Sequence, residues 1–433
     1  MTIVQTETDR RAFVRGSLLA GLGVLAAPRL ALARSDADLL PAVTEVIERW
    51  VGPGKFPGIV ASLGLPGREA QYVARGSEGF TDPDPIGADS LFRIYSMTKP
   101  VTGMATMMLI AEGRLGLDQP LHEILPQYRE MKVQATPDGS VTDVRPARTP
   151  ITIRHLLTHT SGLGYTIIQK GPIRALMEEK GLVAGQIARI KLPGIFRGAT
   201  VGSLKLFADR LADVPLVYEP GTKWSYSLGL DLLGRVIEVV GGTPFDRFLH
   251  ERIFEPTGMT STWFRVPRSQ AHRLATNHAM FAGRLIPFDK PGNSIFLDEP
   301  AFPFGGSGLV SSPRDYDRFL RMLAGLGEID GTRVMPAEAV RLGTSNLLPA
   351  GVEGPALMMP KSDFGAGGRV GIGEEAGIYG WAGAAGTVGM VDVSRGLRSS
   401  IFLQFMPPDA LPILNEFQHA LRSDVMRLAE RNT

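Results

Sequence analysis

The sequence predicts an α+β fold: an antiparallel sheet built from both termini of the chain, flanked by helices, with an inserted, mainly helical domain. Three observations predict it. Short apolar segments bounded by turn residues, near 58–74 and again near 387–405, read as strands at the two ends. The run 97–112 is apolar almost all round, which describes a helix buried on every side. The centre of the chain, from about 117 to 296, shows helical periodicity and loops.

Taken in order, residues 37–51 put Leu39, Leu40, Val43, Val46 and Ile47 at helical spacing. Gly58 to Leu65 and Gln71 to Ala74 read as strands joined at Pro66-Gly67. The buried helix from Met97 to Glu112 is followed by Gly113, which suits a C-cap. In the centre, Leu228, Leu232, Leu233, Val236, Ile237 and Val240 share one helix face, and the helix stops at Gly241-Gly242. Thr387 to Val393 and Arg398 to Phe405 read as strands around Ser394-Arg395-Gly396, and an amphipathic helix follows from about 410 to 430. The expected domains are a discontinuous α/β domain of residues 34–116 with 297–433, and an insert of residues 117–296.

Residues 1–33 read as an export signal. Asp9-Arg10-Arg11-Ala12-Phe13-Val14 resembles a twin-arginine signal, an apolar run extends from Gly16 to Ala27, and Ala31-Leu32-Ala33 offers a small-x-small cleavage site. The run is too short to span a bilayer comfortably, and no membrane span is expected in the mature chain. The expected location is the periplasm or the exterior of a bacterium. Removing 1–33 takes away four arginines and two acids, so the mature charge is near zero.

Composition narrows the chemistry. Lys+Arg is 46 and Asp+Glu 44 in 433 residues, so the basic surplus of a nucleic-acid binder is missing. There is no cysteine, which excludes thiol nucleophiles, disulfides and thiolate-held metals. None of the seven histidines forms H-E-x-x-H, and His155 with His159 has no carboxylate or third histidine near it in sequence; no metal and no cofactor is expected. G-x-S-x-G, the mark of an α/β-hydrolase, is absent.

Three segments carry candidate chemistry. Ser96-Met97-Thr98-Lys99 puts a hydroxyl at the opening of the buried helix and an ammonium three residues on, along the same face. An N-cap serine with a snorkelling lysine has the same spacing. Tyr226, in Tyr226-Ser227-Leu228, precedes the amphipathic helix and can shuttle protons or simply pack as an aromatic. Gly380-Trp381-Ala382-Gly383-Ala384-Ala385-Gly386-Thr387 is a small-residue run leading into a strand, which suits close substrate approach or a tight bend.

Together these segments resemble the penicillin-recognising serine hydrolases: class C β-lactamases, D,D-peptidases and, most closely, family VIII carboxylesterases. The resemblance spans roughly residues 37–430. It rests on Phe92-Arg93-Ile94-Tyr95-Ser96-Met97-Thr98-Lys99-Pro100, on Ile153 to Leu163, on Pro220 to Gly234, on Phe254-Glu255-Pro256-Thr257-Gly258-Met259, and on Gly305-Gly306-Ser307-Gly308-Leu309. It implies a β-lactamase/D,D-peptidase-like fold and an acyl-enzyme on Ser96. Lys99 and Tyr226 are then general base and acid, and the backbone N–H groups of Ser96 and Ala384 form the oxyanion hole. Tyr95, Leu228, Trp381, Ala382 and Gly383 are the implied substrate-binding positions.

Two departures point to the substrate. The β-lactamase pattern has Lys-Thr-Gly where this chain has Trp381-Ala382-Gly383, so the cation that anchors a substrate carboxylate is missing. It has Tyr-x-Asn where this chain has Leu228, which makes no side-chain hydrogen bond. Trp-Gly-Gly is common in the esterase group, and Ala382 adds a methyl that bears on pocket width. The expected substrate is a small neutral ester, and an amide hydrolase or transacylase of the same superfamily is the alternative.

Overall fold

The structure is a computed structural model, and it describes residues 40–183, 185–189, 200–281, 283–355 and 362–430. The expected export signal lies outside the described residues.

Helix α1, Pro41–Trp50, buries Val43, Val46 and Ile47. The chain then forms β1, Gly58–Gly64, β2, Gln71–Gly79, and β3, Asp82–Pro85. Helix α2 spans Thr98–Ala111, and every residue from Thr98 to Leu109 is buried. In the centre lie α3, Gly229–Gly241, and a hairpin of β4, Asn277–Phe281, and β5, Arg284–Asp289. Helix α4 is Pro313–Ala324. The C-terminal part supplies β6, Ser362–Phe364, β7, Arg369–Gly371, β8, Ile378–Gly383, β9, Thr387–Asp392, β10, Leu397–Phe402, β11, Phe405–Met406, and helix α5, Ile413–Glu430.

Eight strands form one sheet in the order β6-β7-β8-β9-β10-β1-β2-β3. Its seam is the antiparallel pairing of β1 with β10, Val60 opposite Phe402 and Ala61 opposite Ile401. The two ends of the chain therefore complete a single sheet. They also cap each other: Asp424 of α5 accepts the backbone N–H groups of Ala42 and Val43 at 3.2 and 3.0 Å, where a carboxylate meets the positive end of α1.

Alternation along β8 decides which residues can reach the site. Trp381 and Gly383 share a face, because successive side chains in a strand point to opposite sides. Trp381 is paired with Gly389, and a Cβ on Gly389 would meet the Tyr316 ring and Met97 Cε, so this is the face covered by α4 and the start of α2. Ala382 lies on the opposite face with its partner Val388, so its methyl does not narrow a pocket beside Trp381.

The structure also departs from the sequence expectation. The stretch Asp82-Pro83-Asp84-Pro85 forms the edge strand β3, where a missing N–H is tolerated. The central region, expected to be helix and loop, also holds the β4–β5 hairpin, and β4 pairs in parallel with β11.

Candidate active site

The sequence folds locally so that Ser96 stands at the end of a short strand and the start of a helix. Phe92–Arg93 pairs with Val310–Ser311, a 3-10 turn covers Tyr95–Met97, and α2 begins at Thr98. Tyr95 takes φ +41°, in the left-handed region. For a bulky side chain that costs about 1–2 kcal/mol. Ser96 is half-buried, while Lys99 is wholly buried.

Lys99 Nζ donates to Ser96 Oγ at 3.2 Å and to the Gly306 carbonyl at 2.7 Å. The same Nζ lies 4.6 Å from the centre of the Tyr226 ring and 5.8 Å from that of Tyr165. A cation over two ring faces is held electrostatically as well as by hydrogen bonds. Thr102, one turn further along α2, donates to the Gly305 carbonyl at 2.7 Å, so the Gly305-Gly306 loop is pinned along the helix.

Tyr226 is buried, and its hydroxyl accepts the indole N–H of Trp381 at 3.1 Å. An indole only donates, so the Tyr226 oxygen is the acceptor in this contact. Trp381 is itself 1% exposed and meets Phe364 edge-on at 5.1 Å. It therefore acts on Tyr226 more directly than as an open pocket wall. Gly383 sits against the turn that carries Ser96: a Cβ there would fall 2.3 Å from the Ile94 carbonyl and 2.2 Å from Thr387 Oγ1. Only glycine lets β8 approach this closely. The next residue, Ala384, is half-buried. The structure thus brings Ser96, Lys99, Tyr226, Trp381 and Gly383 into one cluster. Leu228 is wholly buried in the main core, and Tyr95, 3% exposed, spends its hydroxyl on Asn277 Nδ2 at 3.0 Å.

Sequence reasoning missed four contributors. Tyr165 is buried and meets Tyr226 edge-on at 5.3 Å, and burial holds its hydroxyl well above the usual phenol range. His159 is wholly buried beside Tyr226, with ring centres 4.7 Å apart. Its Nδ1 accepts the Ser227 backbone N–H at 3.2 Å. Burial, then the charge of Lys99, holds this imidazole well below the usual histidine range. It is thus a neutral brace for the Tyr226 segment. His155 caps its own helix, its Nδ1 accepting the Thr152 N–H at 3.2 Å, so the two histidines serve separate structural ends.

The third is Asp231, in the first turn of α3 and 1% exposed. Its Oδ1 accepts the Gly306 N–H at 2.9 Å, and its Oδ2 has no hydrogen-bond partner among the described residues. Burial pushes this carboxyl up to about 6, while the positive charge of Lys99 draws it back down. A buried carboxyl thus grips the N–H of Gly306 while Lys99 grips its carbonyl. An acid inside the apolar run Leu230 to Leu233 was the available signal. The fourth, Asn277, comes from the unexpected hairpin.

A serine hydroxyl beside a buried lysine and a tyrosine, next to a close strand approach that only glycine permits, is arranged for acyl chemistry. The profile of the beta-lactamase family matches residues 43–421. The chain belongs to the beta-lactamase family. Esterase EstB of Burkholderia gladioli is 30% identical over 365 residues, 78% of this chain and 84% of that protein. Monacolin J acid methylbutanoyltransferase of Aspergillus terreus is 27% identical over 366 residues, 78% of this chain and 83% of that protein. Among solved structures, EstCE1, described as a hydrolase with promiscuous acyltransferase activity, superposes with a TM-score of 0.72 at 24% identity, covering 89% of this chain and 99% of that one. Simvastatin synthase of Aspergillus terreus, in a mutant form, gives 0.71 at 23% identity, covering 93% and 100%. The fold is thus that of the β-lactamases and penicillin-binding proteins. At the level of reaction class, membership with esterase and acyltransferase relatives makes this a serine hydrolase or acyl-transfer enzyme.

Proposed function

We propose that the protein is a serine carboxylesterase acting on small neutral esters through a Ser96 acyl-enzyme. The observation that carries the reading is Lys99 Nζ, placed 3.2 Å from Ser96 Oγ and against the Tyr226 ring. Ser96 Oγ attacks the ester carbonyl carbon as its proton passes to the member of the Lys99–Tyr226 pair that enters the step deprotonated, the neutral Lys99 amine or the Tyr226 phenolate. The tetrahedral oxyanion is held by the N–H groups of Ser96 and Ala384, an arrangement in which each donor is typically worth about 3–4 kcal/mol in the transition state. Collapse breaks the bond to the alcohol oxygen, which takes up the proton. Water then attacks the acyl-enzyme with the same pair as base, and Ser96 regains its proton as the acid leaves. The indole N–H of Trp381, aimed at the Tyr226 oxygen, follows the charge that develops there during proton transfer.

The ester preference is supported by what surrounds Ser96. Tyr165 and Tyr226 lie against Lys99, Trp381 lies against Tyr226, and Tyr95, Phe296 and Ala385 belong to a separate buried apolar cluster on which Ala384 packs. Where the β-lactamase pattern has lysine and asparagine, this chain has Trp381 and Leu228, which offer a carboxylated lactam neither charge nor amide. Replacing Ser96 by Ala should abolish hydrolysis of p-nitrophenyl butyrate, and near-wild-type turnover would end the assignment.

A second reading is acyl transfer to an alcohol other than water, favoured by the relatives named as acyltransferases. Adding a primary alcohol to the esterase assay separates the two: transfer gives the new ester, hydrolysis the free acid alone. We also propose export through the twin-arginine route with cleavage after Ala33. N-terminal sequencing of the secreted protein tests it; a chain still starting at Met1 would rule it out.

A further inference from the structure

The strand that delivers the chain to Ser96 is tied to the β4–β5 hairpin. Arg93 is wholly buried, and its Nε donates to Asp289 Oδ2 at 2.7 Å, Nη1 to the Ala275 carbonyl at 2.5 Å, and Nη2 to Ser294 Oγ at 3.2 Å. Gln404 holds the same residue by its backbone, accepting the Arg93 N–H and donating to its carbonyl, both at 3.1 Å. Two residues on, Tyr95 sits in the left-handed region with its hydroxyl on Asn277 Nδ2 at 3.0 Å and its ring edge-on to Phe296 at 6.1 Å. In the hairpin Asn277 is directly opposite Asp289. One cross-strand pair therefore grips both Arg93 and Tyr95.

Asn277 is wholly buried, and its Oδ1 has no hydrogen-bond partner among the described residues. Its side chain is thus committed to the phenol alone. Either orientation of the amide serves, because a phenol both donates and accepts. A buried amide with one partner is a costly way to fill space. A tyrosine left to itself leaves the left-handed region, and that rotation swings the following peptide, with the Ser96 N–H and side chain.

We propose that Tyr95 and Asn277 are a positioning pair for Ser96. The anchored phenol keeps Tyr95 in its left-handed conformation, which aims Ser96 Oγ at Lys99 Nζ. The proposal rests on the reading of Ser96 as nucleophile.

The test compares wild type, Tyr95→Phe, Asn277→Ala and the double variant. One readout is the rate of reaction with a fluorophosphonate probe, the adduct being located by mass spectrometry. The other is kcat and KM on p-nitrophenyl butyrate, per labelled site. The wild type should label at Ser96. Each single variant should label about 5- to 10-fold more slowly, as loss of one buried hydrogen bond allows, with kcat down by the same factor and KM within about twofold. The double variant should be no slower than the slower single, because both changes remove one interaction. A purely structural role would lower Tm and the labelled fraction but leave the rate per site unchanged. Wild-type rates in Tyr95→Phe, or additive losses in the double variant, would overturn the proposal. If Asn277→Ala does not fold, Tyr95→Phe decides alone, since it keeps the ring. A wild type that labels elsewhere than Ser96 would instead remove the nucleophile reading, and the pair's role with it.

Discussion

Replacing Asp231 by Asn should make the protein more stable above neutrality and slower as an enzyme. The folded carboxyl is raised from 3.8 to about 6 by burial. At about 1.4 kcal/mol per tenfold, ionised Asp231 costs the fold about 3 kcal/mol. The folded state holds this proton more tightly than the unfolded chain, so wild-type stability falls as pH rises from about 4 to about 6 and is then flat. An asparagine has no such dependence, and it keeps an oxygen for the Gly306 N–H. Its amide, placed where Oδ2 now lacks a partner, gives back about 1–2 kcal/mol. The expected gain is about 1–2 kcal/mol at pH 8, shrinking or reversing at pH 4. Urea unfolding across that range measures it. The charged group that bears on Asp231 is Lys99. Removing the carboxylate should therefore also lower kcat, by weakening the grip on the Gly306 peptide and the field at Lys99. Asp231→Ala, which removes the acceptor as well, should be slower still. Parallel stability profiles for wild type and Asp231→Asn would refute the reasoning.

Other outcomes follow from single contacts. Trp381→Phe keeps an aromatic ring but removes the 3.1 Å donor to Tyr226; kcat should fall about 3- to 10-fold with KM little changed, in steady-state ester assays. Trp381→Lys, which the family comparison suggests for restoring a lactam anchor, would place an ammonium at a position 1% exposed, so a lowered Tm is expected before any gain in cephalosporin turnover. Gly383→Ala drives a methyl into the Ile94 carbonyl and Thr387 Oγ1; calorimetry should show a loss of about 2 kcal/mol or more, and esterase activity should collapse. Because His159 is held neutral, its replacement by Gln should leave the acid limb of the pH–rate profile in place; a limb that disappears would give this histidine a proton-transfer role.

The parts of the fold legible in the sequence are those with strong local patterns. α2 is apolar on every face, α3 carries a clean stripe, and β1 and β9 are short runs bounded by turns. Each of these buries what its pattern says it must. The hairpin β4–β5 was hidden because its alternation is broken by Pro287 and an exposed Phe281, and because its hold on the fold is a parallel pairing with residues over 100 positions away. β3 was hidden by its two prolines, which only an edge strand tolerates.

The site divides in the same way. Ser96 and Lys99 are three apart on one helical turn, so local spacing sufficed to bring them together. Tyr226 needed the resemblance, because nothing local says that α3 packs its start against Lys99. Asp231, His159, Tyr165 and Asn277 act through partners 75, 68, 61 and 182 residues away, respectively at Gly306, Ser227, Tyr226 and Tyr95. Sequence spacing carries no information about such contacts. Conversely, a family position does not by itself specify a contact: Ala382 points to the far face of the sheet, and Leu228 lies in the core.

The central claim is an ester-selective Ser96 nucleophile assisted by Lys99 and Tyr226. Its most direct test is kcat/KM for p-nitrophenyl butyrate and for a chromogenic cephalosporin, measured side by side on mature wild type and Ser96→Ala. The expected result is a large ester preference that vanishes in the variant. Ester turnover that survives in Ser96→Ala would contradict the nucleophile, and a wild-type preference for the cephalosporin would contradict the ester-selective pocket.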